Sequence, residues 1–215
     1  MPALDPAGLD RRAANALLTA LVQPRPIAWV STLAPDGTRN LAPFSFFNVF
    51  SFHPHPTLAV APGARRGVEK DTLRNVRASG ELTVSVVTDA LAERANRSSA
   101  DLGPDVDEWD VADVRGARSD LVAPDWVAES PAAFECRVLT IVDLGDDATR
   151  SNALVVARIV RIHAPDDRAA PLDLVGRGAG DEWVRTTDRF DLPRPRGTDP
   201  ATLDAPERRE VDPAR

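Results

Sequence analysis

The sequence predicts a mainly β protein with peripheral helices, its strands arranged as a closed or half-closed antiparallel barrel. Three observations carry that expectation. Short apolar, β-branched segments recur along the chain, over 27–33, 57–61, 81–88, 134–144 and 154–163. Turn signals such as Pro35-Asp36-Gly37 and Gly145-Asp146-Asp147 join successive segments directly, as antiparallel strands are joined. Few helices fall between them, whereas a doubly wound parallel sheet needs one between most strands.

The elements follow in order. Asp10 precedes Ala13, Ala14, Ala16, Leu17, Leu18, Ala20, Leu21 and Val22, an apolar stripe at helical spacing with a capping side chain in front. A short amphipathic helix therefore opens the chain, and Pro24 and Pro26 end it. Residues 27–33 form the first limb of a hairpin, Pro35-Asp36-Gly37 turns it, and 39–47 returns. His53-Pro54-His55-Pro56 breaks regular structure before the buried strand 57–61, and Pro62-Gly63 makes the next turn. A helix over 70–77, a strand over 81–88, a helix capped by Asp89 and a polar, acidic loop over 98–113 come next. The strands 134–144 and 154–163 close the pattern. Gly176-Arg177-Gly178-Ala179-Gly180 reads as a loop, because it lacks the spacing and the strand-to-helix setting of a dinucleotide fingerprint. Pro193, Pro195, Pro200, Pro206 and Pro213 among charges predict an extended tail over 191–215 after one domain over 1–190.

Composition narrows the chemistry. With 43% hydrophobic and 27% charged residues among 215, the chain can bury a core and is too apolar for disorder. No run reaches the roughly 18 apolar residues of a membrane-spanning helix, and the first ten residues lack a signal-peptide pattern, so a cytoplasmic protein without a membrane partner is expected. A net charge of -7 and the lack of a basic stripe argue against nucleic acid. The single cysteine, Cys136, allows no internal disulfide, so redox chemistry would be borrowed from a bound cofactor.

Three clusters carry candidate chemistry. Trp29-Val30-Ser31-Thr32 faces Asn40-Leu41-Ala42-Pro43-Phe44-Ser45-Phe46-Phe47-Asn48 across the predicted hairpin, joining hydroxyls, amides and flat apolar groups. A planar heteroaromatic ligand needs that mixture, although a core of aromatics with satisfied polar neighbours has the same composition. Arg65-Arg66 and Lys70-Asp71-Thr72, with Arg74 and Asn75, gather cations and a hydroxyl where a loop enters a helix; Lys70 is the only lysine of the chain. Such an end suits a phosphate monoester, and equally an ordinary helix start capped by Asp71 or Thr72. Of His53, His55 and His163, the pair in His53-Pro54-His55 could approach one metal if a third ligand converged, but the proline more simply marks a rigid loop and that stretch lacks acidic ligands, so no metal site is expected. No serine has a nucleophile-elbow context, which leaves hydrolysis unsupported.

Arg25-Pro26-Ile27-Ala28-Trp29-Val30-Ser31-Thr32, then Asn40 to Asn48, then Lys70-Asp71-Thr72-Leu73-Arg74-Asn75, resemble in order and spacing the flavin reductase-like, FMN-binding split-barrel family that includes flavoredoxin. Trp183-Val184-Arg185-Thr186-Thr187-Asp188-Arg189-Phe190-Asp191-Leu192-Pro193-Arg194-Pro195 is similar to that family's C-terminal signature, with Trp183 where a tyrosine is expected. The resemblance implies a six-stranded antiparallel split barrel, a homodimer, and one FMN per subunit at or near the dimer interface. It implies that Trp29, Ser31, Thr32, Asn40, Ala42, Pro43, Ser45, Phe46, Phe47 and Asn48 surround the ring and ribityl chain, and that Lys70, Asp71 and Thr72, with Arg65, hold the phosphate. The activity implied is NAD(P)H-dependent flavin reduction, hydride passing from NADH or NADPH to the flavin with no protein residue as obligatory acid or base. A monooxygenase or another electron acceptor would follow. The alternatives are an electron carrier with permanently bound FMN and a flavin-binding module with another substrate.

Overall fold

The structure, a computed structural model, describes residues 3–65, 68–102, 106–145, 152–165, 172–192 and 208–211. Helix α1 (Arg11–Leu21) is capped by the Asp10 carboxylate, which accepts the Ala13 amide at 2.8 Å. Thr19 is its only buried residue, and Leu18 and Leu21 of its apolar stripe face outward. Strands β1 (Arg25–Pro26), β2 (Ala28–Leu33) and β3 (Arg39–Phe44) follow. The predicted hairpin forms from β2 and β3, with Trp29 opposite Pro43 and Thr32 opposite Asn40. In its turn Gly37 takes φ 90° and the Asp36 carboxylate accepts the Thr38 amide at 2.9 Å. Those bonds hold the Asp36 carboxyl below its usual range.

The returning limb does not run straight on. It ends at Phe44, and after Ser45 and Phe46 a new strand, β4 (Phe47–Ser51), pairs with β5 (Thr57–Val60). Then come β6 (Ala64–Arg65), β7 (Val68–Glu69), α2 (Asp71–Ser79) and β8 (Glu81–Ser85). Gly80 ends α2 in the left-handed conformation, at φ 69°, which a residue without a Cβ adopts freely. The middle of the chain supplies α3 (Ala92–Arg97), α4 (Glu108–Ala112), β9 (Gly116–Ala117) and β10 (Trp126–Val127). The long strands β11 (Ala133–Asp143) and β12 (Ala153–His163) pair with each other, and β13 (Val175–Arg177), β14 (Trp183–Arg185), β15 (Phe190–Asp191) and β16 (Arg209–Glu210) complete the described chain.

The principal sheet runs β3-β2-β8-β11-β12-β5-β4, every neighbouring pair antiparallel. Its two edges, β3 and β4, are consecutive in the chain and joined by two residues. The sheet therefore curls into a half-barrel whose ends approach one another at Ser45 and Phe46. Seven strands take part where six were expected, because the limb that begins at Arg39 is broken into two. Alternation along β2 divides the core: Ala28 and Val30 pack inside with Leu58, Val60, Leu82, Val84, Cys136 and Val155 and with Leu73 and Val76 of α2. Trp29 faces the other way, against Leu41, Leu91, Trp109, Val127 and Val175.

Two local expectations change. The segment 98–113 contains α4, started by Asp107, whose carboxylate accepts the Trp109 amide and whose helix buries Trp109 and Ala112. Asp89 does not cap the helix after it; a 3₁₀ turn, Asp89–Leu91, precedes α3. In the expected tail, Asp191 pairs with Arg209 as Phe190 does with Glu210, and the Arg208 guanidinium lies 3.8 Å from the Phe190 ring centroid; residues 193–207 and 212–215 lie outside the described residues.

Candidate cofactor-binding site

The break between β3 and β4 places a rib of chain, Pro43 to Phe46, at the mouth of the curled sheet. Three clefts, of about 800, 910 and 250 Å³, meet along it, and Pro43 and Phe44 line all three. Volumes of this order suit a cofactor-sized ligand. The smallest cleft is bounded by Asn40, Ala42 and Pro43 on one side and by Lys70, Asp71, Thr72 and Arg74 on the other. The two sequence clusters, 30 residues apart, thus form opposite walls of one space.

A buried polar network fixes those walls. Asn40 donates from Nδ2 to Thr72 Oγ1 at 2.9 Å and to Thr32 Oγ1 at 3.3 Å, and Asn75 Nδ2 donates to the same Thr32 oxygen at 3.1 Å. All four residues are buried, so the bonds answer polar groups that would otherwise be costly inside. They pin the start of α2 to the β2-β3 hairpin. Neither expected cap is used: Lys70 stands at the cap position, no side chain caps the helix, and Thr72 turns inward to Asn40. Asp71 pairs with Arg74 on the surface. The first amides of α2 therefore keep their positive end toward the cleft, beside the Lys70 ammonium, which lies 5.0 Å from the Phe44 ring centroid.

The 910 Å³ cleft continues from Lys70 past Ser45 and Phe46 to Ala61, Pro62 and Gly63, with Arg11, Arg12 and Asn15 of α1 on its rim. Of the expected site residues, Asn40, Ala42, Pro43, Ser45, Phe46, Lys70, Asp71 and Thr72 line these clefts. Trp29, Ser31 and Thr32 do not: each is at most 2% exposed. Trp29 belongs to the core and donates its indole N-H to Ser98 Oγ at 2.9 Å, so its side chain supports the wall from behind. Phe47 packs against the core, and the Asn48 carboxamide oxygen accepts the Val49 amide. The side chain of Arg65 lies outside the described residues.

Two residues escaped the sequence reading. Arg25 is 7% exposed, and its guanidinium donates to the carbonyls of Thr19, Val22 and Gly178, each at 2.8 Å, and to Ser45 Oγ at 3.3 Å. It closes the C-terminal end of α1, anchors the 176–180 loop and fixes the rib between the clefts. Burial, and then the charge of Arg177, lower its pKa. That loop is glycine-rich for contact reasons: a Cβ on Gly176 would sit 2.9 Å from the Arg25 carbonyl oxygen, and one on Gly178 2.8 Å from the Glu182 carboxylate. The second missed residue, Glu108, lines the smallest cleft, where burial first, and the charges of Asp71 and Asp107 after it, raise its pKa.

The three histidines, Glu135 and Cys136 do not line these clefts. His53 and His55 are exposed, while His163 stacks on Trp126 and contacts the buried Glu135 carboxylate at 2.7 Å. That carboxylate also accepts the amides of Asp120 and Leu121. Burial would raise its pKa, but the two amides and His163 outweigh it and hold the group below its usual range. Burial pushes the Cys136 thiol far up, leaving it inert inside the barrel.

A model of the flavin reductase like domain matches residues 22–181. The chain belongs to that family. An uncharacterized protein of Deinococcus radiodurans is 37% identical over 206 residues, covering 88% of each chain. Nitrilotriacetate monooxygenase component B from Bacillus cereus superposes with a TM-score of 0.83 at 26% identity, over 89% of this chain and 98% of that one. A protein with a split barrel domain from Shewanella frigidimarina gives 0.74 at 18% identity, over 87% and 95%, a likeness of fold. The curled sheet is a split barrel.

Proposed function

We propose that the chain is an NAD(P)H-dependent flavin reductase that holds FMN across the Pro43–Phe46 rib. The observation that supports it is the pairing of two chemically different walls in one space. Lys70 and the uncapped start of α2 offer a cation and amides, the donors a phosphate monoester requires, and the buried Thr72 hydroxyl ties that start to Asn40. Ala42, Pro43, Phe44 and Phe46 offer the flat apolar surface a tricyclic ring requires, and Ser45 a hydroxyl for its polar edge. The residues fit the cofactor at both ends.

A bound flavin would supply the redox chemistry, hydride acceptance from a reduced nicotinamide and onward electron transfer. The chain supplies position and polarity. Lys70 and α2 hold the phosphate and thereby set how far the ring reaches along the rib. Arg25 keeps Ser45 and the 176–180 loop in place at the rib that would carry the ring. Among the described residues no histidine or cysteine lines these clefts, in keeping with a reaction that needs no proton relay from the protein. The likeness to a monooxygenase component supports delivery of reduced flavin to a separate oxygenase.

The chain also acts as a homodimer on this reading. Phe50 and Phe52, 70% and 88% exposed, Val49 beside them, and Leu18 and Leu21 of α1 leave large apolar side chains uncovered around β4 and α1. A second copy would bury them.

Purified protein is mixed with NADH or NADPH, with and without added FMN, and oxidation is followed at 340 nm. Turnover that rises with added FMN supports the reductase. Reduction of bound flavin without turnover of added FMN points to an electron carrier, and no flavin binding refutes both.

A further inference from the structure

The largest remaining space at the rib is the 800 Å³ cleft on its far side, and its lining is chemically unlike the other two. It shares Pro43, Phe44 and Ser45 with the proposed flavin groove, so a donor resting on the ring has this cleft for the rest of its length. Asp89, Glu93 and Asp181 face it, against two cations, Arg177 and Arg185. Arg185 is spent on Asp89, its Nε 3.0 Å from the carboxylate. Arg177 has no ion pair among the described residues; its guanidinium lies 5.2 Å from the Trp183 ring centroid and donates to the Gly180 carbonyl at 2.6 Å. Glu93 and Asp181 are exposed and have no ion pair among the described residues.

Resting on the reductase reading above, we infer that this cleft selects a nicotinamide dinucleotide with free ribose hydroxyls, NADH, and rejects the 2'-phosphorylated form. Arg177, which has no acidic partner among the described residues, meets the diphosphate that both dinucleotides carry. Nothing positive is then left for a 2'-phosphate, which would enter a space already holding two uncompensated carboxylates. The same carboxylates accept hydrogen bonds from an adenosine ribose diol, which is how acidic residues favour the unphosphorylated cofactor elsewhere. Trp183, with Arg177 across its face, gives the flat surface for a nicotinamide or adenine ring. The discrimination is electrostatic and would shrink as salt is raised.

The test uses the full chain loaded with FMN. Calorimetric titration compares NAD⁺ with NADP⁺, which carry the same ribose edges and leave oxidised flavin unreduced, and steady-state kcat/KM compares NADH with NADPH. NAD⁺ binds more tightly and NADH is preferred, each by about tenfold or more, the size of one unfavourable charge contact near a protein surface. The double variant Glu93→Arg with Asp181→Arg, at two exposed positions, moves both ratios toward the phosphorylated form by about tenfold. Equal use of the two dinucleotides, or preference for NADPH, overturns the inference, as does a preference that the double variant leaves unchanged. If dithionite reduces the bound flavin and neither dinucleotide does, the reductase reading itself falls and takes this inference with it.

Discussion

Replacing Arg25 by methionine removes one guanidinium of similar length and leaves four acceptors behind. The carbonyls of Thr19 and Gly178 receive their bonds in fully buried surroundings; those of Val22 and the Ser45 hydroxyl are partly solvated. A buried acceptor left unpaired costs about 1–3 kcal/mol, and a lost cation at a helix C-terminus about 0.3–1 kcal/mol. Methionine recovers part of this, because no charge is then taken out of water. The net loss in unfolding free energy is about 2–5 kcal/mol. Urea denaturation of the wild type, Arg25→Met and Arg25→Lys measures it. Lysine should restore less than half, since its compact ammonium cannot span four acceptors arranged around a planar fork. FMN affinity and donor KM should both worsen in any Arg25→Met protein that remains folded, because the rib and the 176–180 loop lose one shared anchor. A loss below about 0.5 kcal/mol, ordinary for a surface substitution, would refute the reasoning.

Other expectations follow from single groups. Lys70→Ala should weaken FMN binding by about 1.5–3 kcal/mol and riboflavin binding hardly at all; fluorescence titration with both ligands decides, and equal losses would remove Lys70 from the phosphate. Glu108 carries a raised pKa in the phosphate cleft, so its charge appears as pH rises and opposes a phosphate dianion. FMN affinity should therefore fall with rising pH through that titration, and Glu108→Gln should flatten the dependence and tighten binding at pH 8 by about threefold to tenfold. Glu135 is held below its ordinary 4.5, so its contribution to stability is present above that value and is lost as pH falls through the lower folded-state value. Chemical denaturation at about pH 5 and about pH 3 should show a smaller acid loss for Glu135→Gln than for the wild type.

Much of the architecture could be read from local pattern. The β2-β3 hairpin declares itself through an apolar run, a Pro-Asp-Gly turn and a returning limb, all within 18 residues. The phosphate end is equally local, since Lys70, Asp71 and Thr72 are adjacent. What could not be read depends on partners far along the chain. Arg25 is an ordinary arginine until Gly178 arrives 153 residues later. Trp29 has the composition of a ligand platform, yet β alternation turns it to the core face opposite Val30, where Trp109 from an unforeseen helix covers it. The break at Ser45 and Phe46 carries no glycine or proline turn signal of its own; closure of the sheet edges imposes it. Asp89, Glu93 and Asp181 read as solvated charges, and they gather only when α3 and the turn before β14 meet across the rib.

The central claim is that one phosphorylated flavin bridges the hairpin and the start of α2. Equilibrium titration of the purified chain with FMN, followed by flavin absorbance and fluorescence, tests it most directly. Saturation at one FMN per chain, with riboflavin bound more weakly, is the predicted result. A flavin spectrum that stays that of the free ligand up to about 1 mM, the edge of specific recognition, would contradict it.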